Sequence, residues 1–186
     1  DEMQVGRVGF STWDTTVKFD NVRLTAADGT EVYSDGFTSS TGKWTIPTGG
    51  NWTVNDGAMV QGDQNMQGNI CWLNVDGMSS YTYEVEATKI SGAEGFLIAF
   101  NYLDDKNYAW WNLGGWSNKK HGVEVCTNGT KTTVVQCDGQ IETGKTYQVK
   151  IVVEGTKVSC YLDGELKHQF TLNVKQKVYT AVSLNK

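Results

Sequence analysis

The chain has 186 residues, with 21 glycines, a single proline, 11% aromatic residues and a net charge of −5. No basic stripe is available to meet phosphates, which argues against a nucleic-acid partner, and no apolar run is long enough to span a bilayer, so no membrane partner is expected. The opening DEMQVG is acidic and lacks the apolar stretch of a secretory leader, so the chain reads as mature, cytoplasmic, or excised from something longer.

Many short strands are expected from the abundance of Gly, Asn and Asp turn formers and the absence of helical apolar periodicity. Residues 5–11 and 16–25 are the first two strand candidates, separated by a turn at Trp13. A turn at 26–30 leads to EVYSDGF and a Ser/Thr/Gly loop through Thr41. Trp52, Val54, Ala58 and Val60 alternate around Asp56-Gly57, which predicts a tight hairpin. A polar loop over 62–68 precedes a strand around Trp72. In residues 81–88, YTYEVEAT, strict alternation puts Tyr81, Tyr83, Val85 and Ala87 inward and Glu84 and Glu86 outward. Further strands are expected at 131–136, 147–153, 157–162, 166–172 and 178–184, with Asp163-Gly164 as another hairpin turn.

The stretch from Glu94 to Val125 organises the rest. It predicts three consecutive antiparallel strands, with LDDK and GGWSN as the turns. If Asn101 and Tyr108 pair, then Phe96, Ile98, Phe100, Ala109, Trp111 and Leu113 share the core face. Gly95, Leu97, Ala99, Tyr108, Trp110 and Asn112 share the other. Extending the alternation places Val123 and Val125 in the core and Glu124 beside Trp110. An exposed Trp110 flanked by carboxylate and amide suits a sugar, because the ring covers the C–H face while polar neighbours bond the hydroxyls. The structural alternative is a Trp110 covered by a loop.

Other residues carry weaker signals. Trp116, in a Gly-flanked turn, either staples that turn to the sandwich or forms a second sugar platform. His121 either hydrogen-bonds beneath the turn or joins Trp116 at the rim of the site. His168 reads as a surface or edge residue. Trp13, Trp44, Trp52 and Trp72 read as core or rim packing, with a weak rim role for Trp72. Cys71, Cys126, Cys137 and Cys160 form no metal-type pair. A two-residue turn at Asn128-Gly129 would set Cys126 opposite Lys131, which disfavours a Cys126–Cys137 disulfide and leaves buried free thiols as the expectation.

The segments WTVNDGAMVQG, YTYEVEATKISGAEGFLIAF, DDKNYAWWNLGGWSN and YLDGELKH together resemble a concanavalin/laminin-G-like sandwich. More narrowly they are similar to the non-catalytic sandwich region of family 51 α-L-arabinofuranosidases of gut and rumen bacteria. GAEGF at 92–96 and WWNLGGW at 110–116 are the specific part, and Met59 stands at a usual apolar position. The resemblance covers the whole chain. The segment from Val5 to Tyr33 looks like the lead-in to that region, and VYTAVSLNK looks like the point of re-entry into the parent polypeptide. It implies an all-β antiparallel sandwich of jelly-roll type, one module over 1–186 excised from a larger hydrolase. It further implies a polysaccharide of the plant cell wall, such as arabinoxylan or arabinan, as partner. An extracellular, cell-surface or periplasmic bacterial location follows from the same likeness. Asp20, in FDNV, lies where some carbohydrate-binding sandwiches hold a structural calcium; no catalytic cofactor is expected.

Catalysis within this chain has one candidate. Glu84 and Glu86 share a strand face about 6.5–7 Å apart, a spacing that an inverting glycosidase can use. The acidic series on one strand that marks laminarinase-like sandwich enzymes stops here after Glu86, at Ala87 and Thr88. The expectation is therefore a non-catalytic carbohydrate-binding module, monomeric and attached to the hydrolase's catalytic domain. A sandwich glycosidase or a domain that docks the catalytic barrel are the alternatives. Binding is expected through Trp110, Asn112, Glu124, Glu84, Glu86 and Tyr108, with Trp116, His121 and Trp72 at the rim. Glu84 and Glu86 are placed here by assuming that their strand flanks the one bearing Leu97.

Overall fold

The computed structural model describes residues 6–38 and 42–172. The expected strand at 178–184, the re-entry segment VYTAVSLNK, Val5 and the end of the loop at Thr41 lie outside them. In chain order the strands are β1 (Arg7–Ser11), β2 (Thr15–Ala26), β3 (Glu31–Asp35), β4 (Trp44–Thr45) and β5 (Trp52–Asn55). Next come β6 (Ala58–Gln61), β7 (Cys71–Leu73), β8 (Ser80–Gly92), β9 (Phe96–Asp104) and β10 (Asn107–Gly114). The series ends with β11 (Lys120–Thr127), β12 (Thr130–Asp138), β13 (Thr146–Glu154), β14 (Lys157–Leu162) and β15 (Glu165–Thr171).

These strands make an antiparallel sandwich. One sheet has the order β12-β11-β10-β9-β1-β7-β4; the other runs β15-β14-β13-β8-β2-β6-β5, with β3 also paired to β2. The three expected Asn-Gly and Asp-Gly turns close their hairpins, pairing Asn55 with Ala58, Thr127 with Thr130 and Leu162 with Glu165. Both central residues of each turn have positive φ, the conformation whose twist matches the flanking strands. Cys126 faces Lys131 as the turn requires, and all four cysteines are free.

The core lies between the sheets, where period-two alternation meets from both sides. Tyr81, Tyr83, Val85 and Ala87 of β8 and Tyr147, Val149, Ile151 and Val153 of β13 all point into it. Phe10 and Phe19 stack at 4.1 Å across the sheets, with Trp44 and Trp52 against them. Met59 is fully buried, as an apolar position demands. The central hairpin has the expected register over its inner half: Phe96 pairs with Leu113, Ala99 with Trp110 and Phe100 with Ala109. A bulge then displaces the outer end, so that Asn107 faces Asp104.

One adjacency differs from expectation. β8 precedes β9 in the chain but belongs to the opposite sheet, and the neighbour of β9 is β1. The chain crosses between sheets at Gly92, whose φ of 122° only glycine adopts freely. A Cβ there would stand 2.4 Å from the Asp14 carbonyl oxygen. Sequence neighbours pair often enough to make the wrong guess natural, but a sandwich needs strands that change sheets.

Candidate functional site

Trp110 and Trp111 part to opposite faces of β10. Trp111 enters the main core, while Trp110 joins a second cluster on the outer face of the seven-stranded sheet. Around Trp110 stand Ile70, Leu97, Ala99, Tyr102, Tyr108 and Cys126, with Trp13 and Trp72 packed against them. The expected exposure of Trp110 is corrected: its residual exposure is 2%. The cause is the segment before β7, which folds back over the sheet. Gly68 lies directly on the indole, and a Cβ there would stand 2.9 Å from Cη2 of Trp110 and 3.2 Å from Cζ3 of Trp13. Ala99, small beside Trp110, leaves room above the sheet, and this protein segment fills it.

The neighbours of Trp110 are those expected. Its indole N–H donates to Glu124 Oε1 at 2.9 Å, and the Asn112 amide donates to the same oxygen at 3.0 Å. This oxygen is thus committed to holding Trp110 and Asn112 in place. The Trp116 ring packs on Gly122, the register partner of Asn112: a Cβ there would stand 2.9 Å from the ring. The staple is therefore the role seen for Trp116. Its turn is left-handed, with φ of 52°, 61° and 59° at Trp116, Ser117 and Asn118. The Ser117 amide donates to Glu94 Oε2 at 2.8 Å. Burial raises the pKa of the Glu94 carboxyl despite that bond, and Asp14 and Glu124 push it the same way.

Beside the covered indole an open groove of about 570 Å³ remains. Trp13, Trp72, Tyr108 and Trp110 supply its aromatic surface, and Gln67, Asn69, Asp105 and Lys131 its polar groups. Thr45, Ile46, Pro47 and Thr48 form one wall. Trp72 stacks on Tyr102 at 5.5 Å with the Arg7 guanidinium 5.0 Å from its centroid, so its ring is fixed before any ligand arrives. Tyr102 is anchored in turn by donating its hydroxyl to Asp105 at 2.6 Å. Half-buried indoles beside amide, carboxylate and ammonium groups supply what a saccharide requires: a flat apolar surface and polar groups at its edge.

A search of solved structures returns a carbohydrate-binding module, CBM66, from Bacillus subtilis, with a TM-score of 0.60 and 23% identity. The likeness covers 71% of this chain and 81% of that one. The chain has the fold of this module. Over 166 residues, 89% of its length, the chain is also 43% identical to an extracellular exo-α-L-arabinofuranosidase of Streptomyces chartreusis. It spans only 20% of that enzyme. No protein-family model matches the sequence.

Of the site residues expected from sequence, Trp72, Tyr108 and Trp110 line the groove, the last as part of its floor. Asn112 and Glu124 support that floor rather than line the groove. Glu84 and Glu86 are corrected: β8 carries them on the outer face of the opposite sheet, where they border a separate depression of about 480 Å³. Both oxygens of Glu86 are engaged there, by Asn21 Nδ2 at 2.8 Å and Gln148 Nε2 at 2.9 Å. That holds Glu86 as a structural acceptor and weakens the paired-carboxylate reading. Burial raises the pKa of nearby Asp20, and Glu86 and Asp35 add to the effect. Among the described residues no three His, Cys, Asp or Glu side chains converge as a metal site.

His121 takes the first of its two readings, the hydrogen bond beneath the turn, and its place at the rim of the site is corrected. It faces the interior with 3% exposure, and its Nδ1 accepts the Gly114 amide at 2.9 Å. Its ring packs so closely on Gly139 that a Cβ there would come within 2.3 Å. Burial, reinforced by Lys167 and His168, lowers its pKa to about 4. His168 is not a surface residue; it is buried edge-on against Trp111 at 5.5 Å. Sequence reasoning missed Trp13, Gln67, Asn69, Asp105 and Lys131 as groove residues. They converge from the β1–β2 connection, the segment before β7 and two hairpin ends, so no local spacing joins them. Among the described residues no helix is long and apolar enough to cross a membrane.

Proposed function

We propose that this chain is a non-catalytic carbohydrate-binding module attached to an arabinofuranosidase-type hydrolase, which it holds on plant cell-wall polysaccharide such as arabinoxylan or arabinan. The observation that carries the reading is the groove in which Trp13 and Trp72 stand half-buried among amide, carboxylate and ammonium groups. The fold shared with a carbohydrate-binding module and the kinship to part of an extracellular arabinofuranosidase support it. The module works outside the cell as a monomeric unit, with the catalytic domain of its parent hydrolase as its covalent neighbour. Its task is to raise the local concentration of that catalytic domain at the polymer. A single shallow groove gives a Kd on the order of 10⁻⁵–10⁻³ M, because few ligand atoms are buried and water competes for each hydroxyl.

Affinity electrophoresis of the chain in gels containing arabinoxylan, arabinan, levan or β-glucan tests the proposal. Retardation by at least one polymer, abolished by Trp13→Ala in a variant with an unchanged circular-dichroism spectrum, supports it. Migration unaffected by every polymer overturns it, and release of reducing sugar by the isolated chain overturns its non-catalytic part.

A further inference from the structure

The ammonium of Lys131 stands 4.7 Å from the ring centroid of Trp13 and 4.8 Å from that of Trp110. Lys131 lies opposite Cys126 at the start of β12, on the face of the sheet that bears the groove. Among the described residues it, like several other lysines, forms no ion pair. The groove's own acid, Asp105, accepts the Tyr102 hydroxyl. The groove therefore presents one cation held against two indoles and in direct contact with no carboxylate, with Asp105 elsewhere on the groove wall.

That placement bears on which saccharide fits. A neutral sugar stacks best on a bare indole, and here the ammonium stands over both rings. A hydroxyl offered to Lys131 replaces a water at small net gain, whereas a carboxylate adds the attraction of a full opposite charge to the hydrogen bond. One side of the ammonium faces aromatic rings rather than water, which lowers the local dielectric and strengthens attraction to an anion. The two rings also confine a side chain that would otherwise lose considerable freedom on binding.

We propose that Lys131 makes the groove selective for saccharides that carry a carboxylate, namely uronic-acid residues of an otherwise neutral polysaccharide. The proposal rests on the groove being the saccharide site and adds the chemical class of its ligand. The chain's net charge of −5 opposes polyanions at long range, so a preference for acidic sugar would have to arise from a local contact.

Isothermal titration of the whole chain with glucuronic-acid-substituted xylo-oligosaccharides and with the same oligosaccharides after carboxyl reduction separates the possibilities. The acidic ligand should bind about tenfold more tightly than its reduced form in low salt, with most of the difference lost at high salt. Lys131→Met keeps the apolar stem and removes the charge; it should erase the preference, so that the acidic and reduced ligands bind the variant equally. Equal binding of the two forms by the wild type overturns the proposal and leaves the saccharide reading intact. A preference that survives in Lys131→Met also overturns it. Failure of both ligands, together with every neutral polymer above, overturns the saccharide reading and this proposal with it.

Discussion

Glu124 Oε1 accepts two hydrogen bonds, from the Trp110 indole at 2.9 Å and from the Asn112 amide at 3.0 Å. This shared acceptor ties β11 to β10 on the outer face and fixes the orientation of the groove's floor. Glu124→Ala would leave a buried indole N–H without its partner, at a cost of about 1–3 kcal/mol. Glu124→Gln retains an acceptor oxygen and should lose less. Urea unfolding of the two variants checks the order; equal losses would mean that the side-chain volume matters and the bond does not.

Gly68 should tolerate no side chain. Its φ of +83° is strained for any L-residue, and a Cβ would press on both Trp110 and Trp13. Gly68→Ala is expected to destabilise by about 1–3 kcal/mol and to weaken saccharide binding by shifting the indoles. Thermal unfolding with affinity electrophoresis of the same sample reads both effects. A variant as stable as the wild type would show that the segment lies less tightly on the indole.

Four tryptophans should behave differently on truncation. Trp13→Ala and Trp72→Ala remove aromatic surface from the groove and should weaken binding at least tenfold, equivalent to about 1.4 kcal/mol. Trp116→Ala, outside the groove, should leave retardation close to wild type. Trp110→Ala should cost about 3–5 kcal/mol of stability, so lost binding in that variant would not by itself locate the site. The electrophoretic shift, normalised to the folded fraction, distinguishes them.

Stability should fall in mild acid through His121. Its folded pKa of about 4 lies below the unfolded value near 6.5. As pH falls through 6.5 the unfolded chain takes up a proton that the folded ring refuses. The stability present above pH 6.5 is therefore lost progressively until the folded group also titrates near 4. The loss is about 2–3 kcal/mol. Glu94 and Asp20, whose carboxyl pKa values are raised in the fold, act with the opposite sign lower in the range. Urea midpoints at pH 7, 5.5 and 4.5 for wild type and His121→Gln isolate the histidine, because the slope should be shallower in the variant.

Alternation carried much of the fold. The split of Trp110 from Trp111, the register of Ala99 with Trp110 and the placement of Glu124 all follow from period-two geometry within one hairpin. The turn pairs behaved likewise, since positive φ at Asn-Gly and Asp-Gly is a local property. Facts that depend on which sheet a strand joins were not legible. Glu84 and Glu86 point outward as alternation requires, but from the opposite side of the molecule. Nor does alternation reveal what lies above a face: Trp110 is on the outer side of its strand and still buried, because Gly68 and Trp13 cover it. The same covering segment helps to form the groove, so the residues missed are those brought together from separate connections and hairpin ends.

Because the rings lining the groove are wedged in place by Gly68, Arg7 and Tyr102, little of the protein remains to be ordered when a sugar arrives. Different glycans should then dock at similar speeds and differ mainly in how long they stay.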